Sequence, residues 1–351
     1  VSRTAREISD RDIVKRQAKC TPCKSKQESL EFGSREALGS LDSTRVQAEQ
    51  TGPHRFAVGV LFVVLYVIVS AAGDIYAASY FQQADIYSTL LLSFALVCLT
   101  FNLLARRESG RPRITKSSLT ALASLNVVTA ISWVGLFIGL KYAEPAIIVT
   151  FMVALGPAAT VWLNALIRKQ GLPPKSDIAV SALVALIGGY MIWISASGNA
   201  GVEWGPRSSF GIFVAIVAGL SLALTNVLMK LLFDRGLSGR QVLAHRFYGT
   251  ILLLLLFVDR SSIVLEVSQR WCAIAIIAIS TIIVPLLLIQ EGIRRVEPMT
   301  VNMVLSAAPI TSFLFQYCDA RIAPSSYTFI GNILITAVAL CAIYVQYRRS
   351  K

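Results

Sequence analysis

Charge is scarce in this chain. Only 15% of its 351 residues are Asp, Glu, Lys or Arg, while 55% are hydrophobic. A soluble domain carries about 25% charged residues, so the shortage excludes an ordinary water-solvated globule and points to lipid as the main solvent. Histidine is nearly missing, with two copies, His54 and His245. There is no His-Glu-x-x-His and no pair of aspartates within the apolar runs, so an intramembrane enzyme lacks its reacting groups. No Gly-x-x-x-x-Gly-Lys-Ser/Thr occurs, which disfavours a primary pump. The six cysteines are scattered. Cys98, Cys272, Cys318 and Cys341 lie in or beside apolar runs and read as small apolar residues. Cys20-Thr21-Pro22-Cys23 is a lone pair that makes no zinc set. Nothing here calls for a metal or a cofactor. Methionine is absent before Met152, which leaves open a fragment, a processed form or an alternative start codon.

What the chain does hold is a repeat. Leu140-Lys141-Tyr142-Ala143-Glu144-Pro145 runs into an apolar stretch reaching Pro157, and Ile293-Arg294-Arg295-Val296-Glu297-Pro298 runs into one reaching Pro309. The spacing is about 152 residues, and it also relates Gly59 to Gly211, Asp74 to Asn226 and Gly139 to Gly292. Each copy carries five apolar runs, and an odd number of spans turns the second copy upside down in a bilayer. The expected fold is therefore an all-α integral membrane protein of ten transmembrane helices in two inverted five-helix repeats, over residues 55–196 and 209–347. Inverted repeats place a solute site between the halves.

The expected spans are 56–79, 86–105, 117–140, 144–168, 177–196, 209–232, 240–258, 270–293, 297–318 and 325–346. Each is near the roughly 20 residues that cross the hydrocarbon. Glu144-Pro145 and Glu297-Pro298 read as helix starts, with proline in the first turn and an acid at the positive end of the dipole. Residues 1–53 are polar, with ten Lys/Arg against eight Asp/Glu, and read as a disordered cytosolic tail. The net charge of +13 does not point to nucleic acid, because past the tail Lys and Arg sit mostly in short loops. With the amino terminus in the cytosol, eighteen fall on the inner side and five on the outer (Lys141, Arg207, Arg260, Arg270 and Arg321). That bias places both termini in the cytosol.

Several stretches carry a family pattern: Gly139-Leu140-Lys141-Tyr142-Ala143 before the fourth helix with Ala154-Leu155-Gly156-Pro157 within it, Leu243-Ala244-His245-Arg246-Phe247 in the seventh, and Gly292-Ile293-Arg294-Arg295-Val296 leading to Ala307-Ala308-Pro309 in the ninth. In their order and repetition they resemble the EamA-like transporters of the drug/metabolite transporter superfamily, over residues 55–347. The resemblance implies secondary transport, chiefly export, of small polar metabolites such as amino acids or related compounds, across a plasma or inner membrane. Alternatives from other classes are an intramembrane enzyme and a passive channel. Within transporters, the alternative is uptake or exchange of a phosphorylated or nucleotide-linked sugar.

Polar residues inside spans are expensive and are functional candidates by default. Asp74 and its repeat partner Asn226 read either as polar gates of one cavity or, for Asp74, as an interfacial helix end. Asp74 is also the better proton-coupling candidate, since no basic residue lies within a turn of it. Lys230 shares a helix face with Asn226 and either meets an anionic solute or snorkels to headgroups. Arg246 offers a fork to a carboxylate or phosphate, or anchors the helix at the inner surface. Glu291 is explained by pairing with Arg294 or Arg295. Asn126, Asn164 and Asn302 read as interhelical glue, with Asn302 kept as a weak site residue. Trp133 and Tyr190 line a pocket or face neighbours. Gly188-Gly189 and Gly331 serve a homodimer contact or, more simply, close packing within one chain. The expected partners are a small-molecule substrate, the lipid bilayer and protons.

Overall fold

A computed structural model describes residues 53–107, 116–168, 175–293, 295, 301 and 304–350. Every regular element among them is helical. In chain order these are α1 (Pro53–Tyr80), α2 (Ile86–Arg106), α3 (Lys116–Tyr142), α4 (Pro145–Arg168), α5 (Lys175–Ala196), α6 (Pro206–Asp234), α7 (Gly239–His245), α8 (Tyr248–Leu255) and α9 (Arg260–Ile277). A π-helical segment (Ala278–Ile283) leads into α10 (Val284–Ile293); α11 (Ala308–Phe315), a 3₁₀ turn (Gln316–Cys318) and α12 (Ser326–Ser350) follow. The expected tail at 1–53 lies almost wholly outside the described residues.

Six helices among the described residues are long and apolar enough to cross a membrane: α1, α2, α3, α5, α6 and the run Arg260–Ile293. The structure departs from the expected spans at the seventh, the eighth and the sixth, and describes the ninth only in part. The seventh is split into α7 and α8 at Arg246-Phe247. The eighth starts ten residues early, at Arg260 rather than 270, because Asp259 caps the helix by accepting the Ser261 N–H (3.4 Å). Its backbone breaks instead at Arg270, at φ −132° and ψ 16°. Of the ninth, only Val301, α11 and its flanks are described, and Glu297-Pro298 lie outside the described residues. α6 begins at Pro206, three residues before the expected 209, on a Gly205-Pro206 start where Gly205 N–H donates to Ser208 Oγ (2.8 Å).

Packing follows the small residues. A bilayer offers no hydrophobic drive between helices, so association rests on close van der Waals contact. α3 and α4 lie along α6, α7 and α8 pack against α2, α8 also meets α3, and α12 meets α4 and α5. At the α3–α6 crossing a Cβ added to Gly139 would sit 3.4 Å from the Gly211 carbonyl, and one on Gly135 would sit 2.8 Å from Ala218 Cβ. At the α1–α10 crossing a Cβ added to Gly292 would sit 3.5 Å from the Gly59 carbonyl and 2.5 Å from Val63 Cγ2. The glycine pairs that the sequence relates by repeat thus meet crosswise, 139 on 211 and 292 on 59. Gly331 of α12 faces Met191 of α5, where a Cβ would meet the sulfur at 2.2 Å, so close packing within the chain accounts for it.

Candidate functional site

The split in the seventh segment is held by side chains of other helices. Asn126 of α3 donates through Nδ2 to the His245 carbonyl (2.7 Å) and accepts the Gly249 N–H on Oδ1 (2.8 Å). Asn102 of α2 donates to the Ala244 carbonyl (3.2 Å) and accepts from the Tyr248 hydroxyl (3.1 Å). A broken helix strands backbone groups, and in a membrane they must be met by protein. The two asparagines meet those on either side of the break.

Arg246 occupies the break and is 3% exposed. Its Nε donates to Thr129 Oγ1 of α3 (3.1 Å), Nη1 faces Met229 Sδ of α6 (3.4 Å), and the guanidinium sits 5.5 Å from the centre of the Phe247 ring. Among the described residues no carboxylate pairs with it; the ion pairs are Arg270–Glu266, Arg295–Glu291 and Arg321–Asp319. Burying a guanidinium costs several kcal/mol. A ring contact of this kind returns about 1–2 kcal/mol and one hydroxyl bond about 1 kcal/mol. Stability alone therefore does not account for this placement. Arg246 stands midway along the seventh segment, buried within the break.

The second buried charge, Asp74, is 6% exposed, and its Oδ1 has no hydrogen-bond partner. Tyr66, Ser70 and Asp74 follow at intervals of four on one face of α1. Ser70 lies beside both the Tyr66 hydroxyl and the Asp74 carboxyl, and Tyr66 is within electrostatic reach of Asp74 and of Arg246. Next to Asp74, Gly73 lets α1 touch the π-helical segment, where a Cβ would meet Thr281 Oγ1 at 2.7 Å. Arg246 and Asp74 thus each neighbour a helix irregularity, a feature that recurs at functional sites in membrane helices.

The comparisons with known proteins bear on what such an arrangement is for. The family model of the EamA-like transporter family matches residues 209–344. That half contains α6, the split α7–α8 with Arg246, and the π-helical segment. A solved structure titled "Crystal structure of protein" aligns at 18% identity with a TM-score of 0.52, over 83% of this chain and 99% of its own; the likeness is one of fold. No curated protein matches. The match is consistent with the drug/metabolite transporter superfamily, and together with the six apolar helices it supports a multi-pass membrane protein.

The other residues singled out from sequence are placed variously. Asn226 is exposed on α6, one turn before Met229. Lys230 follows it by a turn, but its side chain lies outside what the structure describes, and Asn302 lies outside the described residues altogether. Glu291 is bonded by Arg295. Glu144 stands at the start of α4, where its carbonyl accepts the Ile147 (3.0 Å) and Ile148 (3.1 Å) N–H groups, and its carboxylate reaches other elements. It accepts the Gly201 N–H (2.7 Å) and the Thr328 hydroxyl (3.1 Å), tying the α3–α4 connection to the α5–α6 loop and to α12. Burial pushes its carboxyl above the ordinary range, against those donors. The same end of the bundle carries further polar ties. Tyr80 OH donates to Glu266 (3.0 Å), Arg270 to the Gln83 carbonyl (2.8 Å), and Arg321 to the carbonyls of Leu140 (3.1 Å) and Lys141 (3.3 Å). Sequence reasoning missed Tyr66, Thr129 and Met229. The one signal for Thr129 was its position between Asn126 and Trp133 on one face of α3.

Proposed function

We propose that this chain is a secondary transporter, an exporter of small polar metabolites such as amino acids or related compounds, working by alternating access in a plasma or inner membrane. The observation that carries the reading is the seventh segment, broken midway around a buried guanidinium with no acid partner. Discontinuous helices with polar groups at mid-depth are where transporters of inverted-repeat construction hold solute.

Two inverted five-helix halves, 55–196 and 209–347, fit the crosswise glycine contacts. An exchange of halves that carries 59 to 211 and 139 to 292 also carries the α3–α6 contact onto the α10–α1 contact. In that arrangement both termini face the cytosol, and the polar ties around Glu144, Glu266 and Arg321 close the outer mouth. Asp74 is the residue for proton coupling. Export and substrate class rest on the family.

The test compares metabolites outside cells overproducing the chain with those outside cells carrying Lys230→Ala plus Arg246→Ala, and an empty vector. Enrichment only with the unaltered chain supports an exporter with these cations in its path. Enrichment that survives the double change keeps the exporter and removes both residues from the path. Transport indifferent to Asp74→Asn and to an uncoupler removes proton coupling.

A further inference from the structure

We propose that Arg246 and Trp133 form the solute's anion subsite, and that the ligand group it takes is a carboxylate. The inference deepens the carrier reading, on which it rests only for the route the solute follows.

The guanidinium carries five N–H donors. One meets Thr129, and another faces only the Met229 sulfur, a weak acceptor. Trp133 stands one turn beyond Thr129 on the same face of α3, its ring 6.3 Å from that of Phe247, and its buried indole N–H has no acceptor. A fully buried hydroxyl without a partner, Thr250 Oγ1, lies in the first turn of α8 just past the break. Unpartnered donors from α3 and α8 thus flank the break beside the guanidinium, as an anion would require. On α6, Asn226 is exposed one turn before the half-buried Met229.

The charge count selects the anion. One cation neutralises one charge, and a planar guanidinium matches the two oxygens of a carboxylate. A phosphate monoester brings nearly two charges and three oxygens, and the other buried charge nearby, Asp74, is an acid that repels the excess. A neutral amide keeps the shape of the carboxylate but loses the charge that the site lacks.

The test uses the purified full-length chain in detergent and follows its thermal midpoint. The probes are acetate, lactate, benzoate and 3-phenylpropanoate, each beside its primary amide, with chloride and phenyl phosphate as rival anions. We expect a saturable rise with at least one carboxylate and none with its amide. Arg246→Gln should weaken that binding by about 100-fold and Trp133→Phe, which keeps the ring, by about tenfold, as losing hydrogen bonds to a charged group does. Trp133→Phe answers the question if Arg246→Gln does not fold. The proposal is overturned if no carboxylate binds, if an amide binds as well as its acid, if chloride or phenyl phosphate binds as tightly, or if the substitutions leave binding unchanged. Flux of the same probe into proteoliposomes separates the two readings. Arg246-dependent binding without flux keeps the subsite and removes the carrier. Flux indifferent to Arg246 and Trp133 keeps the carrier and removes the subsite.

Discussion

Replacing Asn126 by leucine removes the support under the helix break while nearly conserving volume. Two bonds to the break are lost, from Asn126 Nδ2 to the His245 carbonyl (2.7 Å) and from the Gly249 N–H to Asn126 Oδ1 (2.8 Å). Interhelical side-chain bonds in membranes average about 0.6 kcal/mol and reach about 1.7 kcal/mol. The upper part of that range applies, because the backbone groups at a break have no intrahelical partner to fall back on. Asn126→Leu should therefore cost about 3 kcal/mol in all. Asn102→Leu is the control. Its bonds are longer, 3.2 Å to Ala244 and 3.1 Å from an exposed Tyr248 hydroxyl that water or headgroups can replace, and it should cost about 1 kcal/mol or less. Equilibrium unfolding in mixed micelles measures both. A gap below about 0.5 kcal/mol between the two variants would refute the reasoning, because the split would then be held by packing rather than by these bonds.

Three other outcomes follow from the same geometry. Gly292→Leu should destabilise by about 1–3 kcal/mol through overpacking against Val63 and Gly59, whereas Gly189→Ala, with nothing within 4 Å of the added Cβ, should be neutral or slightly stabilising; thermal midpoints compare them. Burial raises the Glu144 carboxyl above its unfolded value, so its contribution to stability is full below the ordinary carboxylate range and is lost as pH rises through the raised value. The unaltered chain should thus lose ground to Glu144→Gln between acidic and neutral pH; gaining ground over that interval contradicts the assignment. Arg321→Ala frees the Leu140 and Lys141 carbonyls and Asp319, and should speed hydrogen exchange of amides across residues 319–325 about tenfold.

Much of the helical layout was legible because lipid imposes a length on apolar runs. The starts at Ile86, Pro145 and Ser326 each lie within a residue of expectation. The glycines that the sequence relates by a spacing of about 152 residues proved to be contact points. What stayed hidden was non-local. The sequence around Arg246-Phe247 carries no proline, and the weak helix formers Gly249 and Thr250 just past it do not by themselves fix a break. The groups that tolerate the break, Asn102 and Asn126, sit on α2 and α3, more than a hundred residues away. Asn126 was legible as interhelical glue but not as glue for a particular pair of backbone groups. The π-helical turn at Ala278–Ile283 has a local trace in Pro285, which has no N–H to give the Thr281 carbonyl, and a tertiary one in the contact of Gly73 with Thr281. Glu144 looked like a helix-start acid because local rules know only its own helix, whereas its bonds reach Gly201 and Thr328.

The most direct test of the carrier account is counterflow. Proteoliposomes holding the purified chain are preloaded with the unlabelled compound that accumulates outside overproducing cells, then offered the same compound with label. The account predicts saturable label uptake that overshoots equilibrium, because one binding site alternates between the two faces, and loss of that overshoot with Arg246→Gln. Uptake linear in concentration, with no overshoot and the same rate in the variant, would contradict it and leave a passive channel in its place.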